Sequence, residues 1–217
     1  MPKIKQERMD ELPKLENTLA YTDFDQDNPP PVGKWNSTIF EKVQPIVLEL
    51  ACGKGEYSIG LSKIDPHKNY IGIDIKGNRL WVGATKALKQ GLNNIRYFRC
   101  FIDHLDAYFG KNEVDEIWIV FSDPYVKKER KRLTHPKFIH LYRKILKPGS
   151  LVHLKTDSQI LYEYTKEIID QENLKLIDDE PDIHENRPDD PKLSIRTYYE
   201  KMHLQKGKSI KYVAFKI

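Results

Sequence analysis

Short apolar runs alternate with amphipathic segments along the chain from Pro45 onward. Seven runs rich in β-branched and aromatic residues predict strands, and these cover residues 46–50, 70–75, 95–99, 116–121, 151–155, 174–177 and 209–217. Apolar residues at helical spacing predict helices over 56–64, 78–90, 136–146 and 159–170, with a short helix near 103–109. This alternation predicts an α/β fold in which helices cover both faces of a mostly parallel sheet.

The first 44 residues lack this alternation. They are polar and irregular, and the three prolines at 29–31 stiffen this part of the chain. We therefore expect a flexible N-terminal arm over residues 1–40 that stands outside the main core. Residues 41–217 are then predicted to form a single domain, which is within the usual range of about 100–200 residues.

The first predicted strand ends in a glycine turn, Glu49-Leu-Ala-Cys-Gly53-Lys-Gly55. A dinucleotide fingerprint needs G-x-G-x-x-G, and here the third glycine, Gly60, comes two residues too late. A phosphate-binding P-loop needs Ser or Thr after the Gly-Lys pair, and Gly55 stands there instead. A carboxylate near the end of a buried strand is costly without a partner. The Glu49 side chain either binds a cationic ligand, such as the ammonium of S-adenosylmethionine, or caps the amides of its own loop.

Three more carboxylates stand at predicted strand ends, where ligands bind to sheets of this kind. Asp74 follows Gly53 by 21 positions, a spacing that suits a ribose diol, although Asp74 could also cap a helix. Asp123 begins an Asp-Pro-Tyr turn, which is either an ordinary turn or a compact site for a planar base. Asp157 ends the fifth predicted strand, where its carboxylate either binds a ligand or caps the following helix.

Charge is unevenly distributed, although the net charge is only +4. Residues 127–132 hold five basic side chains in six, 201–217 hold five lysines and no carboxylate, and 178–190 hold seven carboxylates and one arginine. A basic run is often only a solvated surface, but the first run adjoins the predicted site, which favours a nucleic-acid partner.

Several classes of protein are disfavoured. Two cysteines are too few for a disulfide scaffold, and no His/Cys spacing resembles a zinc site. The chain also lacks a signal-peptide pattern and a run of about 20 apolar residues. We expect a reduced, soluble, cytoplasmic protein that needs no metal and no membrane.

Taken together, the motifs resemble the bacterial tRNA (guanine-N7-)-methyltransferase family, whose members are class I S-adenosylmethionine-dependent enzymes. The matching segments follow the order of that family and are Glu49-Leu-Ala-Cys-Gly-Lys-Gly55, Gly72-Ile-Asp-Ile75, Phe121-Ser-Asp-Pro-Tyr-Val-Lys-Lys128, Arg132-Leu-Thr134, Leu146-Lys-Pro-Gly149, His153-Leu-Lys-Thr-Asp157 and Thr197-Tyr-Tyr-Glu200. The family usually has Pro-Asp-Pro-Trp-Pro-Lys where this chain has Ser122-Asp-Pro-Tyr-Val-Lys127. We expect this departure to change base stacking without abolishing activity.

The resemblance implies a Rossmann-like, doubly wound, mostly parallel seven-stranded sheet with an antiparallel C-terminal strand. It implies methyl transfer from S-adenosylmethionine, with S-adenosylhomocysteine as product, to N7 of a variable-loop guanosine in tRNA (position 46 in tRNA numbering). Asp123 is the implied catalytic residue. The implied cofactor-binding residues are Glu49, Gly53, Gly55, Asp74, Ile102, Asp103 and Asp123, and the implied substrate-binding residues are Lys127, Asp157, Thr197 and Glu200.

Two alternatives stay open from the sequence. The first is a class I methyltransferase with another substrate, which would leave the basic run unexplained. The second is a non-catalytic tRNA-binding protein on the same fold, which the intact strand-end carboxylates disfavour. The resemblance fits either a monomer or a homodimer.

Overall fold

The computed structural model describes residues 3–217, which contain eight strands and eight α-helices. The strands are β1 (Thr18–Ala20), β2 (Ile46–Leu50), β3 (Asn69–Ile73), β4 (Ile95–Arg99), β5 (Val114–Val120), β6 (Leu146–Thr156), β7 (Lys175–Glu180) and β8 (Lys211–Lys216). The helices are α1 (Lys3–Glu11), α2 (Trp35–Thr38), α3 (Glu56–Ile64), α4 (Gly77–Lys89), α5 (Pro136–Ile145), α6 (Gln159–Gln171), α7 (Ile183–Asn186) and α8 (Tyr198–Gln205). The short helix expected near residue 103 is a 3₁₀ helix over Ile102–Ala107.

All eight strands form one sheet in the order β1-β4-β3-β2-β5-β6-β8-β7. Strands β1 to β6 are parallel, and β8 lies antiparallel between β6 and β7. The predicted doubly wound α/β fold is therefore confirmed, with one more strand than the seven expected. The strand order reverses between β2 and β5, so the switch point of the sheet lies where the glycine turn follows β2.

The additional strand comes from the N-terminal segment. Thr18–Ala20 pairs in parallel with residues 97–99 of β4. Trp35 is fully buried, stacks on Phe109 with ring centroids 4.7 Å apart, and donates its indole N–H to the Tyr108 carbonyl at 2.8 Å. This segment thus differs from the expected arm outside the core. Its few apolar residues follow no period, so the sequence pattern did not reveal their burial. The flexibility of residues 1–40 and the boundary at residue 41 stay predictions.

The core consists of two layers, one on each face of the sheet. One layer holds the apolar sides of α5 and α6 together with Trp35, and the other holds those of α3 and α4. Central strands β2 and β3 are buried along their whole length, as expected for parallel strands covered on both faces. The loops at the carboxyl ends of the strands are therefore held on a rigid frame.

Candidate active site

The glycine turn after β2 is a left-handed turn in contact with Asp74. Ala51, Gly53 and Gly55 have φ values of +57°, +58° and +61°, a region that glycine enters without steric cost. One oxygen of the Asp74 carboxylate accepts the Gly53 N–H at 2.9 Å, and the other accepts the Lys76 N–H at 2.8 Å. The structure thus brings two predicted cofactor residues together at the switch point.

The two glycines of the turn differ in the space around them, which gives a matched pair of variants. A Cβ on Gly55 would lie 2.3 Å from the Tyr97 ring, whereas a Cβ on Gly53 would meet nothing within 4 Å. Both positions have the same left-handed φ, so the conformational cost is shared. We expect Gly55→Ala to destabilise the fold by about 2–4 kcal/mol and Gly53→Ala by about 1 kcal/mol. Urea denaturation measures both, and equal losses would contradict this steric account.

Glu49 is a buried carboxylate without a cationic partner in the described residues. It accepts hydrogen bonds from the Ser58 N–H, at 2.7 Å, and from the Ser58 hydroxyl. Burial, only partly offset by these bonds, raises the pKa of Glu49 to about 7. Glu49 therefore caps the start of α3 through one carboxylate oxygen, and its other oxygen accepts no hydrogen bond within the described residues. Its role in binding a cationic ligand stays a prediction. An ammonium group bound beside this carboxylate would favour its ionised form and offset the cost of burial.

The raised pKa of Glu49 has a consequence for stability. Between the pKa of 4.5 for an exposed glutamate and about 7 in the fold, the folded state binds one proton more than the unfolded state. Stability therefore falls as pH rises through this window, by about 3 kcal/mol in total. Glu49→Gln should remove this slope, as measured by urea denaturation from pH 4.5 to 7.5. A variant that keeps the full slope would show that another group causes it.

Asp123 lies in a turn after β5 that is held in an unusual conformation. Phe121 and Tyr125 have φ values of +48° and +41°, which is uncommon for large side chains. The Asp123 carboxylate is exposed and accepts only the Tyr125 N–H, at 3.2 Å. The hydroxyl of Ser122 is buried without a hydrogen-bond partner in the described residues. Strained, under-bonded residues of this kind are typical of functional sites.

Arg132 holds the turn that carries Asp123 in place. Its side chain is buried, its Nε donates to the Pro124 carbonyl at 2.9 Å, and its guanidinium lies 4.3 Å from the centre of the Tyr164 ring. Lys127 is exposed on the same loop. The basic run is therefore not uniformly a solvated surface, because its last arginine is a structural part of the Asp123 turn.

Asp157, at the end of β6, lies beside helix α8. Its carboxylate is 2.6 Å from Lys208 Nζ and 3.3 Å from His203 Nδ1. The His203 ring stacks with Phe121, with centroids 5.8 Å apart. These contacts place Asp157 next to the turn that carries Asp123, and the predicted role of Asp157 in nucleotide binding stays a prediction.

Thr197 and Glu200 form a capping box at the start of α8. Glu200 is fully buried, where its carboxylate lies 2.9 Å from Lys155 Nζ and 2.8 Å from His184 Nε2. The Lys155 ammonium also donates to two carbonyls, of Leu193 at 2.7 Å and of Ile195 at 2.9 Å. In this conformation both Glu200 oxygens serve the fold, so the predicted nucleotide contacts of Thr197 and Glu200 stay predictions.

The same segment touches the glycine turn. The Tyr198 N–H donates to the Glu56 carboxylate at 2.8 Å, and Lys54 Nζ lies 4.9 Å above the Tyr198 ring. The Tyr57 hydroxyl donates to the Lys192 carbonyl at 2.8 Å. The two predicted halves of the site, for methyl donor and acceptor, are thus linked through residues 192–200.

Ile102 and Asp103 lie at the end of β4, and β3 separates β4 from β2. Ile102 packs against the core, and the exposed Asp103 pairs with Lys137 at 2.6 Å. Neither residue contacts the glycine turn in the described structure, and their predicted contact with a cofactor stays a prediction.

Three residues of the site had no role assigned from sequence: Lys155, Arg132 and His203. Lys155 and Arg132 lie inside quoted motifs, but a sequence cannot show that a basic side chain is buried. Among residues 3–217, no group of three His, Cys, Asp or Glu side chains is arranged to hold a metal ion. Within the same residues, no helix has the length and apolarity to cross a membrane.

Comparisons with known proteins show which family the chain resembles. A family described as putative methyltransferases matches residues 43–213. The tRNA (guanine-N(7)-)-methyltransferase of Bacteroides thetaiotaomicron is 42% identical, covering 100% of this chain and 87% of that protein. The enzyme of the same name from Porphyromonas gingivalis is 47% identical over 84% of this chain and 75% of its own length.

Solved structures support the fold. The 16S rRNA methyltransferase KamB has a TM-score of 0.64 at 13% identity, covering 89% of this chain and 94% of its own. A 30S ribosomal A1408 methyltransferase from an uncultured bacterium has a TM-score of 0.58 at 19% identity, covering 82% and 88%. At such identities the likeness concerns the fold alone. The family match and the relatives at 42–47% identity show that the chain belongs to the tRNA (guanine-N7-)-methyltransferase family.

Proposed function

We propose that this protein transfers the methyl group of S-adenosylmethionine to N7 of a variable-loop guanosine in tRNA. The observation that carries the proposal is 42% identity along the whole chain to a tRNA (guanine-N(7)-)-methyltransferase. The placement of Glu49, Asp74, Asp123 and Asp157 at the ends of β2, β3, β5 and β6 supports it, because these strands surround the switch point.

The glycine turn and its carboxylates fit the methyl donor. The Glu49 carboxylate has one oxygen without a hydrogen bond in the described residues, and the ammonium of the methionine part would pair with it and favour its ionised form. Asp74 suits the ribose hydroxyls, and a carboxylate oxygen that already accepts one N–H can accept a second donor. When bound, S-adenosylmethionine supplies a methyl group activated by a sulfonium. Gly53, where a Cβ would meet nothing within 4 Å, leaves open space for this ligand to approach the backbone.

The acceptor requires positioning more than base catalysis. Guanine N7 carries a lone pair and no proton, so the attacking atom needs no deprotonation. The remaining barrier is reduced by aligning N7 with the methyl carbon and sulfur. The guanine becomes cationic as the bond forms, and the exposed Asp123 carboxylate can stabilise that charge. Tyr125 offers a ring for base stacking, and Lys127 offers a charge for a phosphate.

One assay separates this proposal from the two alternatives. The protein is incubated with methyl-labelled S-adenosylmethionine and unmodified tRNA, and the RNA is tested for label and for alkali-induced cleavage at N7-methylguanosine. Label at a single guanosine is expected. Transfer only to a protein or a small molecule would favour another class I substrate, and tRNA binding without transfer would favour a binding protein. The cytoplasmic location and the monomeric or homodimeric state stay predictions from the sequence.

A further inference from the structure

Helix α4 and the strand after it are basic to an unusual degree. Residues 75–102 contain six lysines and arginines and no aspartate or glutamate. On the helix, Arg79, Lys86 and Lys89 are spaced by seven and three residues, so they lie on the same side. Lys76 precedes the helix directly and stands two residues after Asp74. The basic side of α4 therefore starts at the active edge of the sheet and extends about 20 Å from it.

The N-terminal helix α1 encloses this basic side. A Cβ on Gly77 would lie 2.8 Å from Met9 Sδ, so the small residue at the start of α4 permits close approach of α1. The Arg8 guanidinium lies 4.9 Å above the Trp81 ring. Between the two helices is an open cavity of about 350 Å³. The side chains that line the cavity include three cations and one indole but no carboxylate. The lining residues are Arg8, Trp81, Val82, Thr85, Lys86, Lys89 and Gln90.

Helix α5, in the other layer of the core, also carries basic side chains, but these are paired with carboxylates. There Lys137 pairs with Asp103 at 2.6 Å, Lys144 pairs with Asp106 at 2.6 Å, and Arg143 pairs with Glu172 at 2.7 Å. Within residues 3–217, Arg8, Lys86 and Lys89 form no ion pair with a carboxylate. Cations without a carboxylate partner are expected of a surface that meets an anionic partner.

We propose that the α1–α4 surface, formed by Arg8, Trp81, Lys86 and Lys89, is a second RNA-binding surface that contacts tRNA phosphates away from the reacting guanosine. The inference rests on the proposed function, because it assigns further contacts to the same substrate. A cation-lined groove without carboxylates suits a polyanion. An indole beside cations suits nucleic acid, because bases and sugar faces can stack on it. The continuity with Lys76 allows one RNA molecule to reach both this surface and the active edge.

The test is the salt dependence of tRNA binding by the full chain. We expect Lys86→Gln/Lys89→Gln to weaken tRNA binding about tenfold at moderate salt and to lower the slope of log Kd against log salt by about 2. The turnover number at saturating tRNA and the affinity for S-adenosylmethionine should not change. The matched control is Lys111→Gln/Lys175→Gln, which removes two exposed lysines from other surfaces and should leave the slope within about 0.5 of wild type.

A second measurement uses the three tryptophans. Trp35 and Trp118 are buried, whereas Trp81 is partly exposed. Addition of tRNA should change the indole emission of the wild-type protein, and Trp81→Phe should lose that change. An unchanged salt slope in the double variant overturns the inference. So does a variant that keeps tRNA binding but loses binding to phosphatidylserine vesicles, since the surface would then serve lipid.

The experiments distinguish a failure of the proposed methylation from a failure of the proposed RNA-binding surface. If the wild-type protein transfers no methyl group to tRNA but the double variant lowers the salt slope of tRNA binding by about 2, the proposed reaction fails and this surface is still supported. If it methylates tRNA while the double variant shows an unchanged slope, the reaction stands and this surface is excluded.

Discussion

Asp123→Ala should lower the turnover number for tRNA methylation about 100-fold to 1,000-fold while the Kd for S-adenosylmethionine stays within about twofold. The reason is the position of this carboxylate, which is exposed at the end of β5 and bonded to one backbone N–H alone. It is free to face the guanine as positive charge develops there. Single-turnover methylation measures the first quantity, and titration calorimetry measures the second.

Two further variants make this result specific. Asp123→Asn keeps the shape and the hydrogen-bonding oxygen but removes the charge, so it should lose most of the same activity if charge is what matters. Asp189→Ala removes an exposed carboxylate elsewhere and should leave turnover unchanged. Equal losses of turnover and of cofactor affinity in Asp123→Ala would assign Asp123 to cofactor binding instead.

Lys155→Met should reduce the free energy of unfolding by about 3–5 kcal/mol, which corresponds to a fall in Tm of roughly 10 °C for a chain of this size. Both Lys155 and Glu200 are fully buried, so the variant leaves the Glu200 carboxylate in the core without its ammonium partner. It also leaves the Leu193 and Ile195 carbonyls without their donor. Burial lowers the pKa of Lys155, and the Glu200 carboxylate opposes that effect.

The matched control for Lys155 is an exposed ion pair. Lys166 lies 2.9 Å from Asp179, and both side chains are about one-third exposed. Lys166→Met should cost less than about 1 kcal/mol, because water screens such pairs. The double variant Lys155→Met/Glu200→Gln should regain part of the stability by removing the unpaired charge. A Lys155→Met variant as stable as Lys166→Met would show that the pair contributes little.

Much of the fold followed from periodicity. Residues 46–50, 95–99 and 56–64 form the elements expected of them, with the same bounds. Buried parallel strands are continuous apolar runs bounded by glycine or proline, which makes them visible without structural information. Residues 147–150, which lie between the predicted helix 136–146 and the predicted strand 151–155, are included in β6, since element ends are decided by pairing with neighbours.

The N-terminal segment could not be predicted in this way. Strand β1 has three residues, all partly exposed, which is too short for any period to appear. Trp35 is buried because it meets Phe98 and Phe109, which lie more than sixty residues further along the chain. Contacts at such separation depend on the finished sheet and leave no local pattern.

The positions of the carboxylates in the candidate site could be predicted from the sequence, but the buried residues that hold the surrounding loops in place could not. Glu49, Asp74, Asp123 and Asp157 were found because the sequence shows where strands end, and parallel strand ends meet at one edge. Lys155 and Arg132 were missed as supporting residues because burial of a charge depends on partners from distant segments. For Lys155 these partners are in the segment 193–200, and for Arg132 they are Pro124 and Tyr164.

The acidic segment 178–190 begins on the strand that forms one free edge of the sheet. Its first three carboxylates, Asp178, Asp179 and Glu180, belong to β7, which among residues 3–217 has no neighbouring strand on its outer side. An open edge can pair with the edge of another molecule and start aggregation, and charges on the edge strand oppose this. The opposite edge is β1, whose three residues offer little backbone for pairing. The sheet thus has one edge protected by charge and the other by shortness, and both features oppose edge-to-edge pairing between copies of the chain.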